Sequence, residues 1–266
     1  MIGTGSVGLR SAALLAGAML LISPNVAHAT DEIQVYNGEI ADPGQWTLQQ
    51  HLNYAIQGRK APDFVNGLIP NHALNGTPEL AYGVNDWNEI GFYVPFAVDK
   101  DGHFLSNGFK IRELFVSPHA DKRDFFYGVN FEFSYLTPKF SETRFGSEIR
   151  PIIGFRRGEY ELILNPIVDI GFGTNGEIEF APAARVARKF GDDLAFGVEY
   201  YTDLGPFRRF LPLSEQQHTI YGVIDFKIGR FDIDFGLGYG LTAGSDKFIA
   251  KLILGTDLNR PEPPKK

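Results

Sequence analysis

The chain has 266 residues, a formal net charge of −7 and a sequence pI near 5.4. Nucleic acids attract basic surfaces, so an acidic chain is not expected to have a nucleic-acid partner. The sequence contains no cysteine, which excludes disulfides and thiolate metal sites. The chain is rich in glycine, with 30 residues, and in phenylalanine, with 23. Only 44% of all residues are hydrophobic, so the phenylalanine content does not reflect a generally hydrophobic chain.

The first 29 residues predict a secretory signal peptide. Arg10 is the only charge before the apolar run SAALLAGAMLLIS (11–23), and Ala27-His28-Ala29 is a small-x-small cleavage site. The apolar run is too short to span a membrane comfortably, so a membrane anchor is the less favoured interpretation. We expect residues 1–29 to be cleaved and residues 30–44 to form a short periplasmic N-terminal segment.

From residue 45 to residue 258 apolar and polar residues alternate with the period of two that a β-strand imposes. In RFDIDFGLGYGL (230–241) every odd position is apolar, and the positions between them are aspartate or glycine. Both residue types are poor strand formers, so the alternation rather than the propensity predicts this strand. About twelve such segments occur, each near the ~10 residues that a tilted membrane strand needs. The strongest are QWTLQQHLNYAI (45–56), EIGFYVPFAV (89–98), FFYGVNFEFSYL (125–136), FGSEIRPIIGFR (145–156), EYELILNPIVDI (159–170) and DLAFGVEYYTD (193–203), with weaker ones near 79–86, 108–117, 177–189, 218–229 and 246–257.

Two features favour a membrane barrel over a soluble β-protein. The apolar faces are strongly aromatic along whole strands, whereas a soluble barrel of this size could not pack that many rings inside. The linkers also alternate between short and long, as periplasmic turns and external loops do. The predicted fold is therefore all-β: one antiparallel transmembrane β-barrel at 45–258, with a C-terminal tail at 259–266. The tyrosines at strand ends suit interfacial aromatic girdles: Tyr54, Tyr82, Tyr135, Tyr160, Tyr200 and Tyr239.

One hairpin carries a family resemblance. In PELAYGVNDWNEIGFYVPF (78–96), a strand ending in Tyr-Gly-Val leads through a tight Asn-Asp-Trp-Asn turn into Glu-Ile-Gly-Phe-Tyr-Val-Pro. This hairpin resembles the early hairpin of Gram-negative outer-membrane barrels, and is most similar to the transporter family linked to the meta-pathway of phenol degradation. The resemblance implies a β-barrel channel for small apolar or aromatic compounds. The chain departs from such barrels at its end, DLNRPEPPKK, which lacks the terminal aromatic residue that serves assembly, so the last strand would need an internal signal.

The residues between the apolar positions predict a charged lumen wall. Several carboxylates form i, i+2 pairs on one strand face, which could serve acid/base work or calcium binding but fit a salt-bridged lumen better. We expect this wall, with the loops at 57–77 and 203–217, to set selectivity for cations or neutral solutes. The predicted lumen residues are Glu148, Arg150, Glu159, Glu161, Asp169, Glu177, Glu179, Arg185, Glu199, Asp225, Lys227, Asp232 and Asp234.

The function predicted on these grounds is passive movement of a small solute across the outer membrane. The expected partners are outer-membrane lipid or lipopolysaccharide and the barrel assembly machinery. Arg208 and Arg209 would either constrict the lumen or contact lipopolysaccharide phosphates. Two alternatives are a lipid-acting hydrolase, for which Ser117 and His119 are the nearest pair, and a closed structural or adhesive barrel. No metal or cofactor is expected, and the sequence predicts that the chain is not an enzyme.

Overall fold

The structure is a computed structural model that describes residues 32–259, so the predicted signal peptide and most of the predicted tail lie outside the described residues. Apart from one 3-10 turn at Ala120–Lys122, its regular elements are strands. Within residues 32–259, no helix is long and apolar enough to cross a membrane. The strands are β1 (Trp46–Gln57), β2 (Leu74–Asn85), β3 (Asn88–Tyr93), β4 (Phe96–Val98), β5 (Phe104–Ser106), β6 (Gly108–Val116), β7 (Phe125–Leu136), β8 (Phe145–Arg157), β9 (Tyr160–Asn165), β10 (Val168–Phe172), β11 (Ile178–Phe180), β12 (Ala183–Lys189), β13 (Leu194–Asp203), β14 (Gln217–Ile228), β15 (Phe231–Gly240) and β16 (Phe248–Asp257).

Twelve of these strands form a closed antiparallel ring, which confirms the predicted fold class. Their order around the ring is β1-β16-β15-β14-β13-β12-β9-β8-β7-β6-β3-β2, and β2 returns to β1. The short strands β4, β5, β10 and β11 extend the wall at one end of the ring, where β4 pairs with β2 and β10 pairs with β8. Pro95 and Pro166 separate β3 from β4 and β9 from β10, because proline has no N–H to donate to the ladder.

Most connections sort by length to the two ends of the barrel, and the connection between β6 and β7 (117–124) is the exception. Tight turns such as Gly158-Glu159 and Gly229-Arg230 lie at one end together with the start of β1 and the end of β16. The longer loops, such as 58–73 and 204–216, lie at the other end. In an outer-membrane barrel the short turns face the periplasm and the long loops face outside. We call these the short-turn end and the long-loop end.

The outer surface of the barrel is apolar, as the alternation predicts. In β15 the side chains of Phe231, Phe235, Leu237 and Tyr239 are exposed on the outer face. Asp234 and the three glycines of this strand alternate to the inside, where the glycines are buried. Because the bilayer is itself apolar, exposure of these rings to lipid carries no penalty of the kind that water would impose.

The inward glycines of β15 make room for large side chains of the neighbouring strands. A Cβ at Gly238 would overlap the ring of Tyr221 on β14. A Cβ at Gly236 would lie 3.0 Å from the Lys251 side chain on β16. The bare backbone on this strand therefore lets an aromatic ring and a lysine stem lie against the wall.

Residues 32–41, the described part of the chain that leads to β1, lie inside the barrel. The sequence assigns residues 30–44 to the periplasm, but Ile33, Val35, Tyr36 and Ala41 are buried against inward-facing wall residues. The physical reason is that these apolar side chains find partners in the lumen that the periplasm does not provide. We call residues 32–41 the plug.

Candidate functional site

The plug packs against two apolar patches of the inner wall. Val35 and Tyr36 join a buried cluster that includes Leu114 of β6 and Phe126 of β7. Ile33 joins a second cluster on the opposite side of the ring, with Tyr221, Val223 and Ile249 of β14 and β16. The plug thus bridges the lumen from one side of the wall to the other.

Polar groups of the wall hold the plug backbone. Asn165, at the end of β9, is fully buried, and its Oδ1 accepts a hydrogen bond from the Tyr36 N–H at 2.7 Å. Its Nδ2 donates to the Tyr36 carbonyl at 3.1 Å, so one amide side chain satisfies both backbone groups of one plug residue. Because buried backbone groups that lack partners are costly, this pair fixes the height at which Tyr36 crosses the lumen.

Basic side chains bind three further carbonyls of the plug. Arg150 donates to the Gln34 carbonyl at 3.1 Å, and Arg156 donates to the Asn37 carbonyl at 3.1 Å. On the other side of the ring, Lys251 donates to the Ile33 carbonyl at 3.4 Å. Every one of these cations also contacts a wall carboxylate, so the plug is connected to the ion-pair network of the wall.

The Tyr36 side chain occupies the centre of this arrangement. Its hydroxyl lies 2.8 Å from the Tyr93 hydroxyl and donates to Glu32 at 2.8 Å. The Arg150 guanidinium lies 4.3 Å from the centre of the Tyr36 ring, within the range of a cation–π contact. Tyr36 therefore combines burial, hydrogen bonding and stacking in a single plug residue.

Two buried ion-pair networks brace the wall around the plug. Arg112 binds Glu79 at 2.5 Å and Glu89 at 2.5 Å, and Glu89 also accepts the Ala41 N–H of the plug at 2.6 Å. Across the ring, Glu199 binds Arg185 at 2.6 Å and Lys251 at 2.5 Å. Removing one member of such a network would leave its partner as an uncompensated buried charge.

Eleven of the thirteen predicted lumen residues lie on the inner wall. These eleven line the internal cavities or join the buried ion pairs: Glu148, Arg150, Glu161, Asp169, Glu179, Arg185, Glu199, Asp225, Lys227, Asp232 and Asp234.

The other two residues of that prediction lie outside the strands. Glu159 lies in the β8–β9 turn and binds Arg188 at 2.8 Å, an exposed pair at the barrel rim. Glu177 precedes β11 in the loop that follows β10. In both cases the alternation was extended past the end of a strand, where a turn no longer preserves the period of two.

Sequence reasoning missed the plug contacts and part of the wall. Tyr36 and Asn165 were not singled out, and neither were Glu79, Arg112 and Arg156. For the wall residues a signal existed: Glu79 and Arg112 alternate in phase with buried positions of the weaker strand patterns. For Tyr36 and Asn165 no local signal existed, because the two residues are 129 positions apart in the chain.

The plug divides the lumen into separate cavities. A cavity of about 190 Å³ at the long-loop end is floored by Glu32, Ile33 and Gln34, and we call it the upper vestibule. Cavities of about 400 and 330 Å³ lie toward the short-turn end, and Gln34 also lines both of them. Gln34 therefore lies between the upper vestibule and the two lower cavities.

The FRRF segment lies on the outside of the barrel mouth. Arg208 and Arg209 are exposed in the β13–β14 loop. Phe207 and Phe210 stack on Phe180 of β11, with ring centres 5.1 and 6.4 Å away. These contacts fix the loop at the rim and leave both guanidinium groups facing solvent.

Other chemically suggestive groups lie outside the lumen. Ser117 is buried and its Oγ accepts the Tyr127 N–H at 3.3 Å, whereas His119 is exposed and lies 3.6 Å from Asp86. Asp99 and His103 form, with Asp101, a group in the β4–β5 turn whose ligand atoms lie within 4.8 Å of one another. There the His103 backbone N–H lowers the pKa of the Asp99 carboxyl, so this carboxylate already serves the turn itself.

Comparison with solved structures supports the outer-membrane barrel. The COG4313 outer membrane channel from Pseudomonas putida F1 matches with a TM-score of 0.59 at 11% identity, over 85% of this chain and 100% of that chain. LpxR from Salmonella typhimurium matches with a TM-score of 0.44 at 8% identity, over 79% and 99%. An OmpT loop-deletion mutant from Vibrio cholerae matches with a TM-score of 0.36 at 12% identity, over 80% and 98%. No family model and no curated protein sequence matches the chain.

These likenesses show the fold and support an outer-membrane location, and they do not confirm membership of the phenol-degradation transporter family. They also correct one prediction. The sequence analysis predicts that the chain is not an enzyme; that prediction is wrong as stated, because the barrel fold does not decide enzymatic status.

Proposed function

We propose that the chain is an outer-membrane channel for a small solute, and that the plug closes it in the described conformation. The observation that carries this proposal is the combination of a charged inner wall with the plug that lies across the lumen. The wall carries charged side chains in the cavities on both sides of the plug, and residues 32–41 lie across the lumen between these cavities. A polar inner wall is what a water-filled channel requires once the plug is withdrawn.

The plug is held by contacts that can be exchanged for water. Its backbone is bound by single side chains, Asn165, Arg150 and Arg156, and not by a strand ladder. Each such hydrogen bond contributes about 1 kcal/mol net, because water would replace it. Withdrawal of the plug would join the upper vestibule to the lower cavities and leave a charged passage. The similarity to a solved outer membrane channel agrees with this assignment.

The test is single-channel recording in planar bilayers. The wild-type chain should conduct rarely, and a variant that lacks residues 32–41 should conduct in most recordings. Asn165→Ala removes both hydrogen bonds to the Tyr36 backbone. The fraction of recordings that show conductance should therefore lie between those of the wild type and the deletion variant. The matched control is Asn107→Ala, because Asn107 is equally buried but its side-chain amide makes no hydrogen bond within residues 32–259.

Selectivity is the second measurable property. The inner wall of the upper vestibule carries more carboxylates than cations, so open channels should prefer cations to anions in a salt gradient. A strong anion preference would contradict this reasoning. The exposed Arg208 and Arg209 are proposed to contact lipopolysaccharide phosphates at the rim, so their replacement should leave conductance unchanged.

The rival function is a closed structural barrel, and the buried plug is the observation that favours it. The plug-deletion variant separates the two functions. If it folds, as shown by a heat-modifiable gel shift, and still does not conduct, the channel proposal is wrong and the structural function is supported.

A further inference from the structure

The β1–β2 loop at the long-loop end, residues 58–73, has a closed and firmly held base. The Asn71 side chain accepts the Gly58 N–H at 3.0 Å, and the Asn71 N–H donates to the Arg59 carbonyl at 3.2 Å. The Arg59 backbone N–H and Nε both donate to the buried Asp246 carboxylate of the β15–β16 loop, at 2.7 and 3.1 Å. Loops whose ends meet in this way are compact units that often serve function. We call residues 58–73 the mouth loop.

The tip of the mouth loop reaches the opposite part of the rim and is held there by one backbone hydrogen bond. The Leu68 N–H donates to the Lys139 carbonyl of the β7–β8 loop at 2.9 Å. Strands β3 and β6 lie between β2 and β7 in the ring, so the tip passes over part of the opening. Among the described residues, no other hydrogen bond joins residues 60–70 to a different loop.

A cavity of about 520 Å³ lies beside the mouth loop, between it and the β13–β14 loop. Lys60 of the mouth loop and Leu211 of the β13–β14 loop line it from its two sides. Three further residues line both this cavity and the upper vestibule: Glu179, Asp203 and Gln217. The two cavities therefore meet at these residues, and the mouth loop forms one side of the entrance to the upper vestibule.

The base and the tip of the mouth loop are held with unequal strength. At the base, Arg59 binds the carboxylates of Asp246 and Asp63, and hydrogen bonds to charged groups are stronger than neutral ones. At the tip, the bond from Leu68 is neutral, and the neighbouring Val65 is 75% exposed. Segments with few buried contacts open at a small fraction of the global unfolding free energy. The tip should therefore detach while the base stays in place.

We propose that the mouth loop is a lid on the outer side of the barrel. Its tip leaves Lys139, turns about the base at Arg59 and Asn71, and opens the upper vestibule to the outside. This inference rests on the proposed channel function, for which the lid is a second gate in series with the plug. The two gates open independently, because no hydrogen bond joins the mouth loop to the plug among the described residues.

A single thiol in the upper vestibule measures how often the lid is open. Ser134→Cys places this thiol on the vestibule wall at a position that is 8% exposed, in a chain without cysteine. Intact cells that carry the full chain in the outer membrane are treated with a membrane-impermeant methanethiosulfonate. Leu68→Pro removes the donor of the tip hydrogen bond, because proline has no N–H. Loss of one such bond should make labelling about fivefold faster than in the Ser134→Cys parent.

The matched control is Ile69→Pro, which introduces the same ring one residue later. The Ile69 N–H donates no hydrogen bond within residues 32–259, so this variant should label at the parental rate. A second variant replaces residues 61–69 by two glycines, which removes the tip and keeps the base. It should label at least fivefold faster, and it decides the question if Leu68→Pro does not fold, as judged by a heat-modifiable gel shift.

Two results would overturn the lid. One is an unchanged labelling rate after removal of residues 61–69. The other is equal acceleration by Leu68→Pro and Ile69→Pro, which would show general disorder of the loop and not release of one hydrogen bond. Labelling requires no conduction, so its failure leaves the channel proposal standing. A folded plug-deletion variant that does not conduct would contradict the channel, and not the movement of the mouth loop.

Discussion

The amide of Asn165 offers the sharpest test of how the plug is held. Asn165→Ala removes the hydrogen bonds at 2.7 and 3.1 Å to the N–H and carbonyl of Tyr36 and leaves the barrel wall otherwise intact. At about 1 kcal/mol for each bond, the docked plug loses about 2 kcal/mol relative to the released plug. Since 1.4 kcal/mol is a factor of ten, the released population should rise about 30-fold.

A single engineered thiol reports that population. The chain has no cysteine, so Val35→Cys places the sole thiol on a plug residue that is 5% exposed when docked. When opening and closing are fast, the rate of maleimide labelling follows the open population. Labelling of folded barrels should therefore be about 30-fold faster in the Asn165→Ala background than in the parent.

The control for this measurement is again Asn107→Ala, a fully buried asparagine without side-chain hydrogen bonds in the described part of the chain. It should label at the parental rate. If Asn165→Ala changes the rate by less than twofold, the amide does not hold the plug. If both variants label faster than the parent by the same factor, the cause is a general loosening of the barrel, and the reasoning is likewise refuted.

Three further predictions concern the free energy of unfolding, measured by urea titration of the barrel in lipid bilayers. Arg112→Ala should cost about 3–5 kcal/mol, because it leaves two buried carboxylates without their shared guanidinium; a loss below 1 kcal/mol would contradict the buried network. Phe235→Arg should cost about 2–4 kcal/mol, because it places a charge on the lipid face near mid-strand; a neutral effect in bilayers would show that this face does not meet lipid. Gly154→Ala should cost about 1–3 kcal/mol, because its Cβ would overlap the buried Phe126 ring; Gly222→Ala, which meets open space, should be neutral, and equal costs would refute the packing argument.

The barrel wall could be predicted from sequence because its signal is local. A period of two repeats within each strand, so odd positions of β15 could be assigned to lipid and Asp232 and Asp234 to the lumen. The same reasoning went wrong at Glu159, where a hairpin turn ends the period one residue before β9 begins.

The plug could not be predicted in the same way. Residues 32–41 contain only a short apolar stretch around Val35, with no repeat long enough to indicate an element. Their position depends on partners from β9 and β16, which sequence periodicity cannot place. Tertiary contacts between distant segments, and not local preference, decide where this stretch lies.

The plug also sets an order of events during folding. Tyr36 contacts a residue 129 positions later, and Ile33 contacts one 218 positions later. Contacts across such separations form slowly, because the intervening chain must first be ordered. The plug cannot reach its final contacts before β9 and β16 have joined the ring. The plug is the first part of the described chain to be synthesised, yet it is among the last to form its native contacts. Its docking should appear in folding kinetics as a separate phase after the barrel has formed.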